Sequence, residues 1–238
     1  MEGILHSIES LAAVDGDGLR CSVFLAGCPL RCAYCHNPDT WVMQGKTVIA
    51  EDLVKKILRF RPYFGENGGV TFSGGEPLLQ ASFLREVALL LEKENVRFIL
   101  DTSGYVELTD DVRFLLERAQ AVLLDLKFWD DESYHRYTGK GIEKTLDMLR
   151  FLDKCGTKTT LRTVVVPDVN DTIKHMDLYL GLLQGFSCIT KHELLPFHTM
   201  GFFKYEKLGI ENSFVSKNAL SRERLLELQE YVNKRKNG

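Results

Sequence analysis

Cys28-Pro-Leu-Arg-Cys32-Ala-Tyr-Cys35 brings three thiols into one short run, and the next cysteine is Cys155. Thiolates are the ligands of iron–sulfur clusters, and a closed [4Fe–4S] site takes four of them. Three would leave one iron without a protein ligand. An open coordination position is what separates catalytic from structural zinc sites, and by the same logic the vacant iron would be the place of chemistry. A zinc ion held by Cys28, Cys32, Cys35 and His36 is the competing reading. It requires the adjacent Cys35 and His36 as ligands, and no second Cys-x-x-Cys pair completes a structural zinc unit. Cys21, Cys155 and Cys188 fall in strand or helix patterns and are expected to be buried structural thiols.

Four further groups could act with these cysteines. Ser73-Gly74-Gly75-Glu76 follows a short apolar run. Its glycines would let backbone carbonyls approach an ammonium group, with Glu76 adding negative charge; a plain strand-to-helix turn is the alternative. Asp125 and Lys127 stand two apart in a strand pattern, so their side chains share a face, with Leu124 and Leu126 on the other. Charges turned into a sheet interior are costly unless paired or bound. A structural ion pair would satisfy that, as would a ligand carrying a carboxylate and a positive centre. Asp101-Thr102-Ser103-Gly104 reads as a binding turn or an Asx turn. Leu195-Pro196-Phe197-His198 places a histidine after the last strand; His6, His135, His175 and His192 have no comparable placement.

The elements that must position these residues alternate. Strands are expected at 21–26, 70–72, 96–101, 121–127, 159–166 and 191–195. Helices are expected at 51–60, 78–94, 109–118, 142–155, 171–183 and 221–235, from apolar residues at helical spacing. Thr109 is the expected N-cap of the third helix. Six βα units imply an α/β fold with a parallel sheet, too few strands for a closed eight-stranded barrel, and hence an open, partial (βα)6 TIM-like barrel. The groups above would then all lie at the C-terminal ends of strands, where such folds collect reactive residues.

Composition agrees. With 238 residues, 45% hydrophobic and 26% charged, the chain reads as one globular domain over 1–238. A net charge of −3 argues against nucleic acid as a partner. Lys234-Arg235-Lys236 reads as a solvated helix end. No apolar run approaches the roughly 20 residues of a membrane span, and no basic, apolar leader is visible. A cytoplasmic protein without a membrane partner is expected. In that compartment six cysteines favour metal or redox chemistry over disulfides.

The Cys-x3-Cys-x2-Cys spacing, with an aromatic before the last cysteine, resembles the radical S-adenosylmethionine (SAM) superfamily. Over nearly the whole chain the motifs resemble its glycyl-radical-enzyme activating enzymes. They comprise His6-Ser7-Ile8-Glu9-Ser10, Val14-Asp15-Gly16, Cys35-His36-Asn37-Pro38-Asp39-Thr40-Trp41, Ser73-Gly74-Gly75-Glu76, Leu123-Leu124-Asp125-Leu126-Lys127, Val164-Val165-Val166-Pro167, Leu194-Leu195-Pro196-Phe197-His198 and Lys204-Tyr205. The resemblance implies that Cys28, Cys32 and Cys35 ligate one [4Fe–4S] cluster. It implies SAM contacts from Tyr34, Cys35, His36, Gly75, Glu76, Asp101, Asp125, Lys127 and His198, with Lys127 at the SAM carboxylate. It implies a monovalent-cation site, for Na+ or K+, at Asp101, Thr102 and Asp125.

The implied activity is reductive cleavage of SAM to methionine and a 5′-deoxyadenosyl radical. That radical would take a hydrogen atom from a glycine of a partner glycyl-radical enzyme, with electrons from a flavodoxin- or ferredoxin-type reductant. Two departures bear on the partner. Asp17 stands in Val14-Asp15-Gly16-Asp17-Gly18 where the family commonly has proline. No cysteine lies between Cys35 and Cys155, so the ferredoxin-like insertion of many such activators is absent, which favours pyruvate formate-lyase as partner. A radical SAM enzyme acting on a small molecule or on another glycyl-radical enzyme, and a non-catalytic metal-binding module, are the rival readings. The cost of an interior Asp125–Lys127 pair speaks against the module.

Overall fold

A computed structural model describes residues 1–12 and 16–236, so Val14 and Asp15 of the first glycine-rich motif lie outside the described residues. The chain runs β1 (Glu2–Ala12), β2 (Arg20–Leu25), β3 (Lys46–Ile49), α1 (Ala50–Leu58), β4 (Gly69–Gly74), α2 (Ala81–Lys93), β5 (Phe98–Thr102), α3 (Asp110–Arg118), β6 (Val122–Asp125), α4 (Asp131–Thr138), α5 (Glu143–Cys155), β7 (Thr159–Val165), α6 (Ile173–Leu182), β8 (Ile189–Pro196), α7 (Phe203–Leu208) and α8 (Arg222–Lys236).

The sheet order is β3-β1-β2-β4-β5-β6-β7-β8. From β2 through β8 neighbouring strands are parallel, and these are the six expected from the sequence. β3 and β8 stand at opposite edges, so the barrel is open as expected. The open edge of β8 is covered by α8, whose Gln229 side chain accepts from Leu194 N (2.8 Å) and donates to the His192 carbonyl (2.9 Å). Satisfying edge backbone in this way removes a template for pairing with other chains.

Two strands add to the expected set. β1 pairs antiparallel with both β2 and β3. The polar run His6-Ser7-Ile8-Glu9-Ser10 conceals β1, because its middle is only half-buried against the sheet. The short helices α4 and α7 are also additional; α4 buries only Tyr134 and Thr138 and carries no apolar stripe.

Burial on both faces accounts for the apolar strands: Val23, Leu25, Val70, Phe72, Leu100, Val122 and Leu124 are fully buried. The helices cover them with one face each, as with Leu53, Val54 and Ile57 of α1 and Phe83, Leu84, Val87 and Leu91 of α2. Leu79, within the helix expected at 78–94, sits instead in a 3-10 turn and is exposed. Thr109 caps α3 as expected, its hydroxyl accepting from Val112 N (3.3 Å).

Cys21 and Cys188 are buried, but Cys155 is exposed. It is the last residue of α5, beyond Leu152, the last residue that helix buries. Among the described residues, no helix is long and apolar enough to cross a membrane.

Candidate active site

The loop after β2 carries the three thiols. It leaves the strand at Gly27, whose φ of +94° suits glycine and whose N–H donates to the Thr40 carbonyl (2.8 Å). Its outer side is tied to the end of α4: Arg31 N donates to the Thr138 carbonyl and Ala33 N to the Tyr137 carbonyl, both at 2.8 Å. Cys28, Cys32 and Cys35 line one cavity together with Tyr34, His36, Gly74, Gly75, Asp101, Asp125, Lys127 and Arg162. Burial pushes the Cys28 and Cys32 thiols up to about 12 and raises Cys35. The Leu30 N–H beside Cys28, and the Asn37 N–H and Trp41 indole beside Cys35, partly offset that rise. Donors beside buried sulfurs suit a sulfur-ligated cluster, whose potential hydrogen bonds to sulfur tune. Among the described residues, no three His, Cys, Asp or Glu side chains converge on a single ion.

The far side of the loop is held by the chain after β8. Tyr205 Oη donates to the Cys35 carbonyl (3.0 Å). His36 Nε2 donates to the His198 carbonyl (2.8 Å), and the two rings stack with centroids 3.8 Å apart. Burial lowers the His36 pKa, so the neutral ring is favoured and this bond places its proton on Nε2. Lys204 bridges Asn37 Oδ1 (2.8 Å) and Asp39 Oδ1 (3.0 Å), while His6 reaches Asp39 Oδ2 (3.2 Å). His198, expected as a direct contact, lies behind His36 instead of lining the cavity.

The turn after β4 packs directly on this loop. Gly75 N donates to the Leu25 carbonyl (3.0 Å) and Glu76 N to the Gly27 carbonyl (2.7 Å). A Cβ on Gly75 would overlap the Gly27 carbonyl oxygen. We therefore expect Gly75→Ala to push the turn off the loop. SAM cleavage should fall by roughly a hundredfold, the scale of a 1 Å misplacement, with cluster content, measured as iron per chain, retained.

Glu76 departs from expectation. Its carboxylate is fully buried and turned away from the cavity. It accepts from Thr102 Oγ1 (2.6 Å), Leu78 N (3.2 Å), Ser103 N (2.9 Å) and Ser103 Oγ (2.6 Å). Those four bonds use the acceptor capacity of one carboxylate, leaving none for an ammonium. Glu76 instead locks the turn after β5 onto the turn after β4.

Asp125 and Lys127 do share a face, with Nζ 2.7 Å from Asp125 Oδ2. Lys127 stands just past β6 and its backbone is pinned by two buried tyrosines, accepting from Tyr179 Oη (3.0 Å) and donating to Tyr134 Oη (3.2 Å). A third member is Arg162, directly opposite Asp125 in register. Its guanidinium donates to Asp125 Oδ1 (2.8 Å) and to Asp101, whose other oxygen accepts from Ser73 Oγ (2.9 Å).

Two acids and two bases thus balance in a site where none is more than 21% exposed. Burial opposes charge on Asp125, but Arg162 and Lys127 outweigh it and hold its pKa below the usual range. Burial likewise opposes charge on Lys127, and Asp125 more than offsets it, so the ammonium persists. At the residues expected to hold a monovalent cation, the guanidinium of Arg162 lies between Asp101 and Asp125, and the Thr102 hydroxyl is engaged with Glu76 and Gly104 N.

Arg162 was not foreseen. Its signal is the alternation in β7, where Thr160, Arg162 and Val164 turn to the barrel interior between buried Leu161, Thr163 and Val165. Trp41, Asn37, Lys204 and Tyr205 gave only a motif resemblance; their roles depend on segments about 165 residues apart meeting in space.

The open parallel barrel and its three-thiol cavity define a radical SAM protein. The sequence profile described as the radical SAM superfamily matches residues 22–179. A Streptococcus suis structure, SuiB bound to precursor peptide SuiA, superposes with a TM-score of 0.68 at 14% identity, covering 88% of this chain and 44% of that one. That likeness is of fold alone, and this chain spans under half of that protein's length. The pyruvate formate-lyase-activating enzyme of Clostridium pasteurianum is 42% identical over 232 residues, 97% of each chain. That of Staphylococcus aureus (strain USA300) is 37% identical over 241 residues, 98% of this chain and 96% of the relative. The chain belongs, within the radical SAM superfamily, to the family of pyruvate formate-lyase-activating enzymes. It is a radical SAM enzyme whose cofactors are a [4Fe–4S] cluster and SAM.

Proposed function

We propose that this chain, one domain over residues 1–238 acting in the cytoplasm, installs the glycyl radical of pyruvate formate-lyase. The observation that carries the reading is a cavity in which three thiols, one short of a closed cluster, stand with the Asp101–Arg162–Asp125–Lys127 network. The relatives at 42% and 37% identity support the partner by their names. A flavodoxin- or ferredoxin-type protein would supply electrons.

When bound, the cluster and SAM supply the chemistry: one-electron reduction splits a sulfonium C–S bond, giving methionine and a 5′-deoxyadenosyl radical that takes a glycine α-hydrogen. The chain's own residues hold, orient and shield. Cys28, Cys32 and Cys35 would hold the cluster. The Lys127 ammonium would meet the SAM carboxylate, its charge kept by Asp125. The Gly74–Gly75 backbone and Asp101 would face the amino group. Tyr34 is buried on the cavity wall and would pack against the ligand. His36 would contact the ligand directly, and His198 would act by stacking on His36. Glu76 would act through Thr102 and Ser103. No general base is needed, because a hydrogen atom is transferred and not a proton.

The test is anaerobic reconstitution with SAM, a strong reductant and pyruvate formate-lyase, followed by electron paramagnetic resonance. A glycyl doublet on the partner is expected. Deoxyadenosine release with no protein radical on any glycyl-radical enzyme would overturn the activating role.

A further inference from the structure

The outer side of the cluster loop carries cations that nothing in the fold neutralises. Arg31 is exposed, and its guanidinium donates to the carbonyls of Cys28 and Leu30, both at 2.7 Å, while lying over the Trp41 ring at 5.0 Å. Beside it runs the last turn of α4. Thr138 and Tyr137 accept from Arg31 N and Ala33 N, and Gly139, which caps the helix, sits against Arg31 Cβ. That turn and the residue after the cap bring Arg136 and Lys140, both exposed. Arg136 lies over the Tyr137 ring at 5.4 Å. None of the three has a carboxylate within 4.0 Å among the described residues. This contrasts with exposed Arg150 and Lys234 and half-buried Arg224, each paired at 2.6–2.8 Å. Of the acids of α4, Glu132 lies in the first turn, and Asp131 is engaged by Ile142 N (2.9 Å) and lies 3.5 Å from His135 Nε2.

We propose that Arg31, Arg136 and Lys140 form the docking surface for an acidic one-electron carrier protein, the reductant of the proposed function, on which this inference rests. Three arguments select that occupant. Cations without a carboxylate partner, on a chain of net charge −3, give this side of the loop a local field suited to an anionic partner. The cations surround the backbone that bears Cys28 and Cys32, so a carrier seated there lies one loop's thickness from the thiols. The cavity side, lined by Lys127, Asp125 and His36, stays open for the polypeptide that supplies the glycine. Electron entry and substrate entry then use opposite sides of one loop.

The experiment compares reductants on the reconstituted enzyme. SAM cleavage is measured as deoxyadenosine formed, with reduced flavodoxin or with dithionite, at about 20 and about 200 mM salt, the latter bringing the screening length below about 8 Å. The probe variants are the pair Arg136→Glu/Lys140→Glu and the conservative pair Arg136→Lys/Lys140→Arg; neither residue touches the cavity. With flavodoxin, charge reversal should slow cleavage roughly tenfold or more at low salt, the lower end of electrostatic steering. The loss should shrink at high salt, and the conservative pair should behave as wild type. With dithionite all forms should be equal.

Equal rates with flavodoxin would overturn the proposal. So would an equal loss with both reductants, which would mean damage to the loop. A loss confined to glycyl-radical formation, with SAM cleavage intact, would assign the surface to the polypeptide substrate and also overturn it. Failure of the wild type to cleave SAM with dithionite would instead count against the enzyme reading itself.

Discussion

Replacing Cys32 with alanine should leave a folded chain that cleaves no SAM. Cys32 is 8% exposed and small, so losing its sulfur costs the fold on the order of 1 kcal/mol. Its loss as a ligand is of another order. Removing groups that merely orient metal ligands already costs about 10–100-fold, and a cluster reduced from three protein ligands to two should fall well beyond that. Iron per chain and deoxyadenosine yield read the two effects separately, and thermal unfolding of the iron-free chain reads the first alone. Cys21→Ala and Cys188→Ala are the controls: both thiols are buried in strand or strand-adjacent positions outside the cavity. Retained deoxyadenosine formation by Cys32→Ala would refute the ligand assignment.

Arg162→Met should produce the largest loss of stability in the barrel interior. Methionine approximates the length of arginine without its charge, so Asp101 and Asp125 would face each other with Lys127 as the remaining cation. Breaking a buried ion network by removing one partner costs about 3–5 kcal/mol, because a charge is left uncompensated.

The pH dependence has a definite sign. In the wild type the Asp125 pKa is depressed, so its contribution is present above the unfolded carboxylate value and is lost as pH falls through the folded one. In the variant the crowded carboxylates titrate upward, so their penalty is greatest at neutral pH and is relieved by protonation. The difference in urea stability between the two proteins should therefore be large at pH 7 and shrink on acidification toward about pH 4, the ordinary carboxylate range. The double variant Arg162→Met/Asp101→Asn should recover part of the loss, since the two residues interact. A pH-independent difference would show that packing, not charge, is what Arg162 contributes.

Much of this site was legible because its signals are local. Thiolate spacing, paired glycines after a strand, and a charged i, i+2 pair are each properties of a few consecutive residues. The parallel strands were legible for the same reason, as they are short apolar runs punctuated by turns. β1 was not, because a half-buried edge strand needs no strong alternation and His6-Ser7-Ile8-Glu9-Ser10 shows none. Glu76 misled for a related reason. A carboxylate beside two glycines reads as part of their binding surface, yet its direction is set by Thr102 and Ser103, contributed by the next strand.

The sequence by itself determined that three thiols at short spacing would share one loop, that six strand–helix units would form an open barrel, and that the reactive residues would gather at the strand ends. Those follow from chain connectivity and from side-chain periodicities of 2 and 3.6. Only the tertiary structure decided which charges neutralise which. The register of β6 on β7 sets Arg162 against Asp125, and the guanidinium lies between Asp125 and Asp101. It also decided that Lys204 and Tyr205 brace the cysteine loop from about 165 residues away, whereas Arg136 and Lys140 flank it unpaired. The physical reason is the same throughout. A buried charge is stable only beside its partner, and the identity of that partner is a fact of strand register and loop docking, which no run of consecutive residues encodes.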